Sequence, residues 1–178
     1  QYRSNFYQDS YKLAEEEDFS GYLLHESQDD FRLKALLSKL TQHKINVYPL
    51  TNDLEFKDRK YAKGHSYYVP LAQPQFRLIQ ALFTQETNFK DNTFYDVSGW
   101  TMPLAMNIES IQIDRTRGLK LAKQTWRMPS TFAQNNQSTS AYGYIFEWHH
   151  FLAPKLLNKL LANDIKAKVA TKSFTSLI

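Results

Sequence analysis

With 178 residues, 42% of them hydrophobic and 15% aromatic, the chain has enough apolar material to fold around one core, which excludes the disordered class. The net charge of +4 is uneven, 11 basic against 12 acidic residues over positions 1–89 and 11 against 6 over 90–178; no cluster of five Lys/Arg occurs, so no nucleic-acid partner is expected. Zero cysteines exclude disulfides, thiolate metal sites and cysteine nucleophiles and leave the compartment open, and no apolar run approaches the ~20 residues of a membrane span.

Residues 1–19 read as a lead-in whose acidic run Glu15–Asp18 is a solvated helix end or linker, with 20–178 as a single α/β domain. Gln1 in place of Met, and the plain ending at Lys172–Ile178, fit a piece of a longer chain, so the missing leader says nothing about secretion. Gly21–His25 is a short apolar strand, and Ser27, Asp29 and Asp30 after it suit a helix N-cap. Leu33, Leu36, Leu37 and Leu40 then fall at i, i+3, i+4 and i+7, the single stripe of an amphipathic helix, and Ile45–Leu50 is the next strand.

The charged stretch 51–65 is a connection with a short hairpin strand near Leu54–Phe56. Ser66–Val69 is a third strand, and Phe76, Ile79 and Phe83, with Leu78 and Leu82, give a second helix its buried face after Pro74. Phe94–Val97 is a fourth strand, and Trp100–Asn107 a short helix with Pro103 in its first turn. Ile111–Ile113 alternates like a strand, Arg115–Gly118 is a turn, Lys120–Trp126 is an edge strand and Ala133–Ser140 an exposed loop.

Tyr142–Phe146, Phe151–Leu161 and Lys166–Ala170 repeat the opening order of strand, helix and strand. Shifting the chain by 120 positions aligns 20–45 with 140–165 with 8 of 26 positions identical. Two such crossover units imply an α/β three-layer sandwich, a mainly parallel sheet with helices on both faces in the flavodoxin-like manner.

In such a sheet ligands gather beyond the carboxyl ends of the strands, which makes a candidate rim of His25, Glu26, Gln73, Gln75, Arg77, Asp96, Ser98, Trp100, Glu147 and His149. Ser98 sits on a strand-to-helix turn as a nucleophile would, but Asp96–Trp100 lacks the first glycine of GxSxG, so a helix cap is the competing reading. Glu147, His149 and His150 are able metal donors at poor spacing for a helix, and no metal site is expected there. Neither GxGxxG nor GxxxxGK occurs, which argues against a dinucleotide or P-loop site. Trp100, Trp126 and Trp148 suit either stacking on sugars or core packing.

The ordered block Tyr68-Val69-Pro70, Gln73-Pro74-Gln75, Arg77-Leu78-Ile79, Phe94–Ser98, Trp100 and Pro103-Leu104-Ala105 resembles a signature of large bacterial M14-type zinc carboxypeptidase-like proteins. There it lies after the peptidase domain, in a region similar to a class I glutamine amidotransferase-like fold. The resemblance implies a secreted or periplasmic parent that removes C-terminal residues with zinc, and an upstream peptidase domain of the same chain as partner. The family's HxxE and later His ligands and its catalytic Glu match no position here, so zinc is expected in the upstream domain and no cofactor in this piece. The amidotransferase reaction needs a cysteine nucleophile that is absent. The expectation is a non-catalytic accessory domain; the alternatives are a carbohydrate- or peptide-binding module, or a small hydrolase using Ser98 or the His149/His150 pair.

Overall fold

The computed structural model describes residues 2–85, 101–114, 118–129 and 143–175, with side chains from residue 8 onward. The chain divides into two units, 1–134 and 135–178. The first contains α1 (Tyr2–Glu16), β1 (Phe19–His25), α2 (Asp30–Gln42), β2 (Tyr48–Pro49), β3 (Leu54–Phe56), β4 (Arg59–Tyr61), β5 (Ser66–Pro70), α3 (Phe76–Phe83), α4 (Met102–Ala105) and β6 (Glu109–Asp114). The second contains α5 (Ala153–Ala162). Asp96, Ser98 and Trp100, the strand expected at 94–97 and the loop at 133–140 lie outside the described residues.

The expected parallel sandwich is not the fold. The main sheet has the order β2-β5-β1-β6, and each of its neighbouring pairs is antiparallel. The first crossover unit is nevertheless present: β1 and β2 are both antiparallel to β5 and so run parallel to each other, joined by α2. What the crossover reading could not supply is the strand that fills the gap between them. The chain leaves β2, makes the small β3-β4 hairpin and returns as β5, so the gap is filled by a strand of opposite direction.

Nor do helices cover both faces among the described residues of the first unit. Side chains alternate across β1, so Tyr22 and Leu24 face one way and Leu23 the other. Tyr22 and Leu24 join Val69, the α2 leucines, Phe76, Ile79 and Phe83 of α3 and Ala14 of α1 in one core cluster. Leu23 joins Tyr68, Ile113, Phe56 and Tyr61 in a second, beneath the hairpin. The described part of the first unit is thus a helix layer, a sheet and a hairpin flap.

The α2 stripe behaves as its spacing dictates. Leu33, Leu36, Leu37 and Leu40 are wholly buried, each contributing about 2 kcal/mol of transfer free energy. Asp29 starts the helix by accepting the Arg32 N–H at 3.0 Å. At the hairpin, Lys57 and Asp58 both adopt positive φ, 51° and 59°, the twist that lets two residues close antiparallel strands.

Ile45–Leu50 forms only the two-residue β2, but the segment is bonded along its length: Trp126 N–H donates to the Val47 carbonyl at 2.8 Å and Ala122 N–H to that of Pro49 at 2.9 Å. Residues 120–126 therefore follow the open edge of β2, tied by an isolated Leu50–Leu121 bridge.

The second half of the proposed repeat keeps only its helix. Residues 143–146 and 166–170 are not strands, since no described residue of that unit offers them a strand partner. Whereas Leu36 is buried, its counterpart Leu156 is 41% exposed. The identities over this alignment express a shared amphipathic helix rather than a shared sheet.

Candidate functional site

Strand direction divides the expected rim. In an antiparallel sheet the carboxyl ends of neighbouring strands point opposite ways. His25, the last residue of β1, pairs with Ser66, the first of β5, while Pro70 at the end of β5 pairs with Gly21. His25 and Glu26 thus lie at one end of the sheet, and Gln73, Gln75 and Arg77 follow the strand end at the other. They do not form one rim.

At the β5 end Gln73 is buried and wholly employed. Its Oε1 accepts the Asn46 N–H at 2.7 Å, and its Nε2 donates to the carbonyls of Pro70 at 2.7 Å and Asn46 at 3.3 Å. Gln75 is the residue before α3 and Arg77 is exposed on it. Of the three, the Gln73 side chain builds the strand-to-helix corner.

At the β1 end, cross-strand register assembles a polar cluster. His25 Nδ1 and Ser66 Oγ are 2.9 Å apart, and Tyr61 meets the imidazole edge-on with ring centres at 5.4 Å. Glu109, the β6 partner of His25, accepts from the Tyr61 hydroxyl at 3.2 Å and from Arg59. Beside them Glu26 Oε1 accepts the N–H groups of Gln28 and Asp29 at 2.7 and 3.2 Å, and its Oε2 lies 3.5 Å from Arg32 Nη1. The cluster borders an open cleft of about 390 Å³ whose walls include His25, Glu26, Arg59 and Glu109.

The electrostatics follow from this wiring. Burial, reinforced by the charge of Glu109, pushes the Tyr61 phenol above its ordinary value. The bond to Glu109 holds the exposed Arg59 guanidinium above its own. Ser66 is wholly buried beneath the His25 ring, so its hydroxyl fixes the imidazole and is out of reach of a substrate carbonyl. The sequence reading had His25 and Glu26 but missed Arg59, Tyr61 and Glu109. Only the register of β6 and the fold-over of the hairpin bring them near, and neither leaves a local signature.

In the second unit, Glu147, His149 and His150 lie in the turn before α5 rather than on the helix, so the two imidazoles converge instead of diverging. Trp148 between them is 61% exposed, and Trp126 of the first unit is buried. Among the described residues, no helix is long and apolar enough to cross a membrane. In comparisons with known protein families, curated proteins and solved structures, nothing matches this chain.

Proposed function

We propose that this chain is a non-catalytic accessory module of a larger protein, of the zinc carboxypeptidase-like kind that its Tyr68–Ala105 block resembles. The observation that carries this reading is the wiring of the β1 end. Three of the polar groups there are spent on the fold: Ser66 on His25, Glu109 on Arg59 and Tyr61, and Glu26 on the backbone that starts α2. A catalytic base needs a free reach to a reacting proton. In this reading the cleft beside Arg59 and Glu109 is a contact surface and the peptidase chemistry belongs to the upstream domain of the same secreted or periplasmic parent. The test is to assay the 178-residue chain with added zinc against peptides having free C-terminal residues. No release above the buffer background is expected, and turnover abolished by Glu109→Gln would overturn the reading.

A second reading, a peptide- or carbohydrate-binding module, is favoured by the exposure of Trp148 and by Tyr144, 75% exposed four residues before it. It predicts that oligosaccharide or peptide ligands perturb Trp148 fluorescence, read as the signal lost in Trp148→Phe. An unchanged spectrum across both ligand classes removes it. The hydrolase reading through Ser98 concerns a residue outside the described ones.

A further inference from the structure

We propose that Glu147, His149 and His150 form a binding site for a transition-metal dication of the zinc type. One ligand atom from each, a carboxylate oxygen and two imidazole nitrogens, lies within 4.8 Å of the other two. Glu147 Oε2 is 3.2 Å from His149 Nδ1 and 4.0 Å from His150 Nε2. The two rings lie 4.4 Å apart, tilted by 31°.

Ligands at ~2.0–2.1 Å from a tetrahedral zinc stand roughly 3.4 Å from one another. The Glu147–His149 separation already has that spacing. Small side-chain rotations bring His150 in, and with side chains 41–69% exposed there is room for them. The backbone explains why spacing alone did not reveal the site. Positions i, i+2 and i+3 would splay around a helix, but here all three precede α5 at Ala153, in a turn where Ala153 N–H donates to the His150 carbonyl at 2.9 Å.

Two imidazoles and one carboxylate favour zinc, nickel or copper over magnesium and calcium, which take all-oxygen shells. Three protein ligands also leave at least one position of a tetrahedral ion open, for water or for a donor from another molecule. The site uses none of the cleft residues His25, Arg59 and Glu109, so it adds to the accessory reading and does not depend on it.

The test is calorimetric titration of the full chain with zinc chloride, repeated with His149→Ala, His150→Ala, Glu147→Gln and, as an off-site control, His43→Ala. One equivalent of zinc is expected to bind, unaffected by excess magnesium. Removing a residue that merely supports a metal ligand weakens binding about 10–100-fold, so loss of a ligand itself should cost at least tenfold for each of the three, with His43→Ala unchanged. Substituted cobalt should show the visible bands of a low-coordinate nitrogen–oxygen site, lost in the same variants. The far-ultraviolet circular dichroism of these surface variants should match that of the parent chain. Absence of zinc binding, binding displaced by magnesium, or binding that survives all three substitutions would overturn the proposal.

Discussion

The side chain of Gln73 pairs with the main chain of Asn46 as a strand would, accepting its N–H at 2.7 Å and donating to its carbonyl at 3.3 Å. It therefore continues the bonding of the extended segment 45–50 past the point where β5 ends. The same amide nitrogen also donates to the Pro70 carbonyl at 2.7 Å, so three main-chain groups depend on one buried residue. Gln73→Leu should lower unfolding free energy by about 3 kcal/mol, because it strands buried polar groups. Gln73→Glu should cost at least as much, since it removes the donor and sets a carboxylate against two carbonyls. Urea midpoints of the two variants decide this, and a loss within error of zero would show that water replaces the amide.

Gly21 predicts a steric failure of another kind. A Cβ there would stand 2.4 Å from the Val69 carbonyl oxygen and 2.7 Å from the Tyr68 ring. The ring can turn aside but the carbonyl belongs to the β1-β5 pairing, so Gly21→Ala forces the strands apart. We expect a loss of about 3 kcal/mol, within the upper range for overpacking, and no recovery on adding Tyr68→Ala. A double variant restored to parental stability in urea would place the crowding on the ring alone.

Legibility followed how local the physics was. The α2 helix was readable because four leucines at helical spacing and an Asp at its start are all within one segment. The hairpin was half readable: Leu54–Phe56 alternates, but the turn is Lys57-Asp58 and not the Asn-Gly that advertises positive φ. Sheet direction was not readable, because β1-α2-β2 looks the same whether its neighbour is parallel or antiparallel. The rim residues were misplaced for the same reason: His25 and Gln73 share a rim only if β1 and β5 run the same way. The duplicated pattern misled because the identities between Leu36 and Leu156 or Leu40 and Leu160 record helix amphipathicity, which many folds require.

The Asp29 cap offers a sharper contrast. Its Oδ1 accepts the Arg32 N–H at 3.0 Å, its Oδ2 is 3.5 Å from the Arg32 guanidinium, and it is 2% exposed. Asp29→Ala removes both contacts and should cost about 1.5 kcal/mol, in the upper half of the range for N-caps. Asp29→Asn keeps an acceptor oxygen and should retain more than half of that stability. Equal losses in thermal or urea unfolding would assign the whole effect to the ion pair and none to the cap.

Alkaline pH tests the burial of Tyr67. Its hydroxyl donates to the Gly64 carbonyl at 3.2 Å, and burial first, then the negative charge of Asp30, pushes the phenol above its ordinary value. Burial does the same to Tyr22 on the same face of the sheet. A phenol whose folded pKa is raised stays protonated in the native state while the unfolded chain ionises. Its contribution to stability is therefore complete below about pH 10, the unfolded value, and is lost as pH rises from there through the folded one. Tyr67→Phe cannot ionise, so its unfolding free energy should fall less steeply than that of the parent chain above about pH 10, whatever it loses at neutral pH with the bond to Gly64. Urea unfolding at neutral and alkaline pH measures the two slopes, and parallel curves would show that the Tyr67 hydroxyl is hydrated in the folded state.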